Sequence, residues 1–472
     1  MTPSTYRAAI ALESPAIVLI ALAALIALVA PFTSDVAAAQ GNAAAPATAL
    51  RLTPAQMRDD LGAFRPQVFE RDQSYSLAAR AQAKARLDRL EGEIDRTTPA
   101  RFAIALAQIV ALADNGHTNA AGGVRARLFN RVPVRLTAFG GDFRVLRATE
   151  ANADLLGARL VSVDGHSVAE VRDSARTLSG GVVQRRDRFV PFLLESPVQL
   201  HALGLASDSA TAMYAFQTID GRTVQRRLGD EPNRAPDARG GSRALFPGLL
   251  PDESGKWRSV MPAPEVPWSL LEPTDPFRWR AAPEIDGMVI ELRQTISSPG
   301  HPIEEFLSEA TGRIQELRPR NLVVDMRLNG GGNLNTTRDF MKRLPTLVPA
   351  RIFVLTSPWT FSAAISSIGY LEQAAPERVT IVGEEVGDRL EFWAEGRPVT
   401  LPASGLVFSI ATQRHDYKNG CRAFTDCHQP VVANPIAVPT LAPDVAAPWT
   451  IDAYRAGRDP SMEAVAAQVR RR

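Results

Sequence analysis

Ser362 lies where a strand-like run from Val354 is followed by a helix-like run with small residues behind it. A hydroxyl at the start of a helix is close to free N–H groups and to the positive end of the helix dipole. That position suits a nucleophile beside a developing oxyanion. Taken alone, however, a serine that opens a helix is more often a cap.

A second segment is a glycine turn. The apolar run 322–326 continues into Asn329 and the triple glycine 330–332. Glycine lets the backbone present N–H groups to an anion. Two alternatives stay open from these residues: a phosphate site and a plain strand-to-helix turn. The phosphate site lacks both the Gly-Lys-Ser/Thr ending and the Gly-x-Gly-x-x-Gly spacing.

His117 belongs to a third segment, Asp114 to Thr118, just after a predicted helix that Thr98 caps and Pro99 begins. Histidine is the natural general base near neutral pH. It can meet Ser362 because such sites are defined by geometry and not by chain order. A lone histidine after a helix is more often structural. The alternatives among the six histidines are His166, His201, His301, His415 and His428.

These three segments, in this order, resemble motifs of the tail-specific (carboxyl-terminal-processing) serine peptidase family. They are most similar to its branch with the tricorn core and interphotoreceptor retinoid-binding protein. Residues 114–118 resemble its Asp-Gly-His-Thr motif, 325–332 its Asp-Leu-Arg-x-Asn-x-Gly-Gly stretch, and 360–364 its Thr-Phe-Ser-Ala-Ala motif. Ile381 to Glu384 is similar to the family's Val-Gly-Glu element, and the similarity runs from about residue 60 to the C-terminus.

The resemblance implies a role for each matched residue. Ser362 would be the nucleophile and His117 the general base that takes its proton. The backbone N–H groups of Gly331 (or Gly330) and Ala363 would form the oxyanion hole. A hydroxyl needs such a base to become a good nucleophile, and the tetrahedral oxyanion needs donors already in place.

The group that orients the base is the least determined by the motifs. Gly387 to Arg389 stands where bacterial processing peptidases carry a lysine in Gly-Lys-Gly, so a Ser/Lys dyad is disfavoured. Glu384 matches the family's glutamate and is expected to orient His117. Asp114, three residues before His117, is the alternative.

The expected function is that of an exported serine endopeptidase, a hydrolase that cleaves polypeptides through an acyl-enzyme. No metal or organic cofactor is implied, and the expected partner is a polypeptide substrate. The alternative is a non-catalytic extracytoplasmic carrier, because the same family includes a retinoid carrier and a fold does not fix a function.

The order of elements in the last large block predicts an α/β fold. Strand and helix alternate through 322–326, 334–344, 351–355, 361–374 and 379–382. Such alternation favours a largely parallel sheet, with ligands at the carboxyl ends of its strands. The resemblance implies a crotonase/Clp-protease-like spiral, and 156–165 resembles a PDZ-like region.

Composition shifts divide the chain into five parts. The segment 231–276 holds eight prolines before Asp275, which predicts an irregular connection. The expected parts are a signal peptide (1–39), an N-terminal helical domain carrying His117 (40–130), a small PDZ-like β module (131–230), a Pro-rich connection (231–276) and an α/β catalytic domain (277–472).

The N-terminus is typical of an exported protein. An apolar run, Ala16 to Ala30, precedes Ala37 to Ala39, which predicts a signal peptide cut after Ala39. An uncleaved membrane anchor is the alternative. A periplasmic or extracellular location without stable membrane insertion is therefore expected. Nucleic acid is an unsuitable partner, since the formal net charge is only +2 and no basic run interleaved with aromatics occurs.

Cys421 and Cys427 are the only two cysteines. Export places them where a disulfide persists, so a local disulfide is predicted. Zinc binding with His428 or His415 is the alternative, although zinc sites usually show better-defined ligand pairs.

Overall fold

The computed structural model of the chain describes residues 50–120, 128–129, 131–229, 245–248, 256–261, 266–422 and 424–471. The predicted signal peptide and most of the predicted Pro-rich connection lie outside these residues. In the described part, no helix combines the length and the hydropathy that crossing a membrane requires.

Three helices lie at the start of the described chain: α1 (Pro54–Pro66), α2 (Leu77–Gly92) and α3 (Pro99–Ala111). As predicted, Thr98 caps α3 by accepting a hydrogen bond from the Arg101 N–H, and Pro99 is its first residue. Helix α3 is apolar on most faces and is largely buried, which fits a helix surrounded by other elements.

An antiparallel sheet follows, with strand order β1-β2-β3-β5-β6. Its strands are β1 (Val134–Phe139), β2 (Asp142–Thr149), β3 (Arg159–Val163), β4 (His166–Ser167), β5 (Thr211–Gln217) and β6 (Thr223–Gly229). Strand β4 pairs with β3, and β7 (Trp257–Ser259) pairs with β2. An ordered strand therefore comes from the stretch expected to be an irregular connection.

The same region holds four helices that the prediction of a mostly β module did not include: α4 (Val168–Arg176), α5 (Val183–Asp187), α6 (Val190–Leu194) and α7 (Pro197–Ala202). They have nine residues or fewer. Such short helices span too few turns to give a clear periodic pattern, so the sequence did not predict them.

The central sheet has the order β17-β12-β11-β10-β9-β8, and all its pairs are parallel except β8 with β9. Its strands are β8 (Phe277–Ala282), β9 (Gly287–Leu292), β10 (Asn321–Asp325), β11 (Ile352–Thr356), β12 (Val379–Gly383) and β17 (Val445–Ala446). The predicted α/β alternation and largely parallel sheet are confirmed.

Helices cover both faces of this sheet. Those on the first face are α8 (Ile303–Leu317), α9 (Leu334–Leu347) and α10 (Ala363–Ala374), and the opposite face packs against α13 (Pro460–Arg470). Leu322 and Val324 face the first core and Val323 the second. This alternation explains why the strands read as continuous apolar runs.

Between β12 and β17 the chain forms two small antiparallel pairs, β13 (Glu391–Ala394) with β16 (Gln413–Asp416), and β14 (Pro398–Thr400) with β15 (Val407–Ser409). Helix α11 (Gln429–Ala433) follows, and α12 (Ile451–Arg455) comes after β17. A disulfide joins Cys421 to Cys427, as predicted, and takes both sulfurs that the zinc alternative needs.

The β14–β15 pair shares a core with the N-terminal helices. Leu401 and Phe408 pack with Phe64 and Phe102 in one apolar cluster. The Asp60 carboxylate also accepts hydrogen bonds from the backbone N–H groups of residues 403 and 404. The N-terminal helices are thus fixed to a segment 343 positions later in the chain.

Candidate active site

Ser362 lies in the turn between β11 and α10, next to the carboxyl ends of the parallel strands. Its backbone has φ 57° and ψ −127°, a conformation that a non-glycine residue adopts only under strain. Its side chain does not cap α10. The hydroxyl is instead 2.9 Å from Nε2 of His117. The structure therefore excludes the simple cap for this serine.

His117 is delivered by the loop after α3. Asn115 fixes this loop with two hydrogen bonds to the backbone of Trp393, one donated and one accepted, as a β partner would make. Thr118 donates to the buried carboxylate of Asp72. These buried contacts hold the imidazole against Ser362, although the two residues are separated by 245 positions.

The carboxylate beside the other ring nitrogen belongs to Asp388. Its Oδ2 is 3.4 Å from Nδ1 of His117, longer than a normal hydrogen bond, and its side chain is 1% exposed. An added Cβ on Gly116 would lie 2.7 Å from that oxygen. Only glycine at position 116 leaves room for this carboxylate.

The expectation that Glu384 orients His117 is corrected by this arrangement. Glu384 directly follows β12; its carboxylate accepts a hydrogen bond from the Trp449 N–H, and burial raises its pKa. No ion pair within 4 Å joins it to His117 in the described chain. The alternative, Asp114, instead pairs with Arg186 and Arg389.

The predicted oxyanion donors fall into two groups. Ala363 is the first residue of α10, and its N–H, like that of the exposed Gly330, has no hydrogen-bond acceptor among the described residues. Gly331 differs, because its N–H donates to Oδ1 of Asn329 at 2.8 Å. The N–H of Ala363 is therefore a free donor next to Ser362, whereas the N–H of Gly331, which also lies against Ser362, is held by Asn329.

Asn329 connects three loops of the site. Its Nδ2 donates to the carbonyl of Leu292 at the end of β9, while its Oδ1 holds the glycine turn. Its own carbonyl accepts the N–H of Phe361, next to Ser362. Thr360 also donates to the carbonyl of Met326. These bonds fix the nucleophile loop relative to the glycine turn.

The imidazole of His117 is held between two phenyl rings. The Phe361 ring lies 4.3 Å from it on one face, and the Phe392 ring lies 4.9 Å away on the other. On β16, His415 stacks on the far side of Phe392 at 4.9 Å. This column restricts rotation of the ring and leaves its edges, which carry the two nitrogens, for Ser362 and Asp388.

Two arginines of the α5 region stack on the nucleophile loop. The guanidinium of Arg185 lies 3.5 Å from the Phe361 ring centre, and that of Arg188 lies 4.0 Å from the Trp359 ring centre. Burial lowers the pKa of Arg185 to about 10, and the charge of Asp388 acts in the opposite direction. The nucleophile loop thus carries positive charge stacked on two of its aromatic rings.

Sequence reasoning identified some of these residues and missed others. It found Ser362 and His117, which the structure brings into contact. It noted 387–389 only as a departure from the lysine motif, although the acid in that stretch is the one beside His117. The ring column and Arg185 gave no local signal, because each contact joins distant parts of the chain.

Comparison with known proteins adds a fold relationship. No protein-family model matches the sequence, and no curated protein matches it. Among solved structures, mature CPAF complexed with lactacystin superposes with a TM-score of 0.53 at 14% identity, over 88% of this chain and 98% of that chain. The photosystem II D1 C-terminal processing protease gives a TM-score of 0.37 at 14% identity, over 87% of this chain and 96% of that chain.

Both solved structures belong to the tail-specific, or S41, peptidases. The likeness to CPAF shows that the chain has the fold of a tail-specific peptidase, and its resemblance to that family is confirmed at the level of the fold. A second determination of mature CPAF superposes with the same TM-score of 0.53 at 14% identity, over 88% of this chain and 97% of that chain.

Proposed function

We propose that the chain is a serine-type peptidase of the tail-specific kind, with Ser362 as nucleophile, His117 as general base and Asp388 as the group that orients the base. The observation that carries this proposal is the 2.9 Å contact between Nε2 of His117 and Oγ of Ser362. The strained backbone of Ser362 and the buried carboxylate behind the histidine support it.

The reaction follows from these positions. Oγ attacks the carbonyl carbon of a peptide bond while its proton passes to Nε2 of His117. The N–H group of Ala363, together with one from the glycine turn 330–332, then stabilises the negative oxygen of the tetrahedral intermediate. The imidazolium gives the proton to the leaving amine, and an acyl-enzyme remains. A water molecule, deprotonated by the same imidazole, releases the acyl group and restores the hydroxyl.

The proposal extends to the types of the protein's domains and to its location. The central sheet with helices on both faces would be a crotonase/Clp-like spiral, and the β1–β6 sheet a PDZ-like module. The protein would be exported by the segment 1–39 and would act on polypeptides in the periplasm or outside the cell. The run of apolar residues before Ala39 supports export.

Labelling with a fluorophosphonate tests the proposal. Purified protein is treated with the probe, and the modified residue is mapped by mass spectrometry, with Ser362→Ala and His117→Ala as controls. We expect modification of Ser362 that depends on His117. Lactacystin, present in the CPAF structure, serves as a competitor. An intact folded protein that is not labelled but binds apolar ligands would favour the carrier alternative.

A further inference from the structure

A cavity of about 230 Å³ lies beside the nucleophile loop. Its lining includes Trp359, three residues before Ser362, and Leu328, two residues before Gly330. The remaining wall comes mainly from β1 and from the α5–α6 region. Ser362 itself does not line the cavity, so the cavity is a neighbouring pocket that a bound chain could enter next to the reacting bond.

Several arginines line this pocket, and three of them have carboxylate partners. Arg131 and Arg135 share Glu195. Arg327 forms an ion pair with Asp325 and another with Asp459. The charges of these three arginines are therefore balanced within the protein itself.

Arg188 also lines the pocket, but unlike these three arginines it has no carboxylate partner within 4 Å among the described residues. Its Nη1 donates to the carbonyl of Pro358 and its plane stacks on Trp359. Its buried Nε has no hydrogen-bond partner, and no carboxylate of the described chain lies within 4 Å of the guanidinium. Burial and the like charge of Arg185 hold the pKa of Arg188 well below its usual range, while the charge of Asp388 acts in the opposite direction. A partly buried cation without an ion-pair partner is costly, and an anion at this place would reduce that cost.

The acids of the pocket do not supply this anion. Asp187 is paired with Arg176 at 2.7 Å. Glu384 accepts a hydrogen bond from Trp449, and burial raises its pKa. Glu195 is already shared by two arginines. Among the described residues that line the pocket, no acid is therefore paired with the guanidinium of Arg188.

The other lining residues indicate which kind of chemical group would bind beside the anion. Phe139, Phe192 and Trp449 add apolar surface to the lining of the pocket. The volume is below the range of pockets that enclose a drug-sized ligand, so it suits one or two side chains or a chain end. Arginine binds carboxylates through two parallel N–H donors, and a peptide carries carboxylates at acidic side chains and at its C-terminus.

We propose that this pocket binds a carboxylate of the polypeptide substrate next to an apolar side chain, with Arg188 as the residue that selects the carboxylate. The inference rests on the proposed peptidase function, because the pocket serves the site only if a chain lies across Ser362. It makes Arg188 a specificity-determining residue and not a catalytic one.

Binding of three acetylated dipeptides to the Ser362→Ala protein tests this by isothermal titration calorimetry. Tryptophanyl-glutamate amide carries a side-chain carboxylate, tryptophanyl-glutamine a C-terminal one, and tryptophanyl-glutamine amide neither. We expect at least one carboxylate to bind about tenfold or more tighter than the amide, as a charge-assisted hydrogen bond gives. The tighter of the two acids identifies the source of the carboxylate. Equal binding of all three dipeptides would overturn the proposal, and this outcome does not depend on how an Arg188 variant folds.

Variants of Arg188 then locate the effect. In an Arg188→Gln, Ser362→Ala protein the carboxylate dipeptide should no longer bind more tightly than the amide. With Arg188→Lys part of this advantage in affinity should remain. Arg222→Gln removes the same charge from a side chain that is 72% exposed and should keep the full advantage. If the advantage persists in Arg188→Gln, another residue selects the carboxylate and the proposal fails. Fluorophosphonate labelling of the protein with Ser362 intact is measured separately. Failure of the peptidase function can therefore be distinguished from failure of the pocket proposal.

Discussion

The imidazole of His117 can accept the proton of Ser362 only when Nε2 is unprotonated and faces Oγ, and this depends on what holds Nδ1. Among the described residues, Asp388 has the carboxylate that lies within 4 Å of Nδ1. Asp388 is 3.4 Å from Nδ1 and nearly inaccessible to solvent. In unliganded sites such contacts are often longer than in the reacting complex, so this distance is compatible with an orienting role.

Exchange of Asp388→Asn tests that role. The amide keeps the shape of the side chain but favours the wrong tautomer of His117, so the rate of fluorophosphonate labelling should fall on the order of 10²–10⁴-fold. Glu384→Gln, four residues earlier in the same loop, is the matched control and should label at the wild-type rate. A large loss in Glu384→Gln with little change in Asp388→Asn would restore the motif-based assignment.

The strained backbone of Ser362 leads to a second prediction at this scale. At φ 57° and ψ −127° a residue with a Cβ stores about 1–3 kcal/mol, whereas glycine does not. Glycine also loses more chain entropy on folding, about 0.4–1 kcal/mol. We therefore expect Ser362→Gly to be more stable than Ser362→Ala by about 1 kcal/mol. Both variants lack the hydroxyl, so urea denaturation of the two reports the backbone alone; equal stabilities would argue against strain.

At the scale of the elements, the glycine turn has a strict steric requirement at Gly331. Gly331 has φ 100°, and an added Cβ would be 2.6 Å from the Cβ of Ser362. A Cβ on Gly330 would meet nothing within 4 Å. The two neighbouring glycines thus make a matched pair for substitution.

Gly331→Ala should displace the nucleophile loop and abolish labelling of Ser362, because the new methyl group and the loop cannot occupy the same space. Gly330→Ala keeps its N–H and should label close to the wild-type rate. Circular dichroism establishes that both variants are folded. Normal labelling of Gly331→Ala would mean that the loop can move without loss of the site.

Prediction from sequence succeeded best for elements with local signals. Short stretches of sequence determine the Thr98 cap, the apolar strands and the alternation of strand and helix. For this reason α3 and the central sheet were predicted. The short helices α4–α7 were missed. Ser362 and His117 were found because the motifs that carry them are short and specific. The carboxylate and the free oxyanion donors depend on loop geometry, which a motif does not encode.

At the scale of the whole molecule, the site is assembled from parts that are far apart in sequence. The loop of His117 is anchored to β13 through Asn115 and Trp393, with 278 positions between them. Asp72 accepts hydrogen bonds from Thr118 and from the N–H of Ala411. Such pairings have no local signature. This explains why the assignment of 40–130 and 277–472 to separate parts gave no hint of their shared core.

The same assembly buries a second histidine, His415, whose ring stacks on Phe392. Around it lie the Tyr417 hydroxyl, the Glu395 carboxylate and His428, with His117 beyond Phe392. Burial lowers the pKa of His415 below its ordinary value of 6.5, and Glu395 opposes this shift. The unfolded chain therefore binds this proton more readily than the folded chain does.

The consequence is a dependence of stability on pH. Above about pH 6.5 the ring is neutral in both states, so the stability is fully present; as the pH falls below that value, protonation of the unfolded chain removes it. We expect the urea midpoint to fall more between pH 8 and pH 5.5 for the wild type than for His415→Gln. The other titrating groups are common to both proteins and largely cancel in the difference. An equal fall would show that His415 titrates alike in the folded and unfolded chains, and that its burial in the ring column does not govern the acid stability of the molecule.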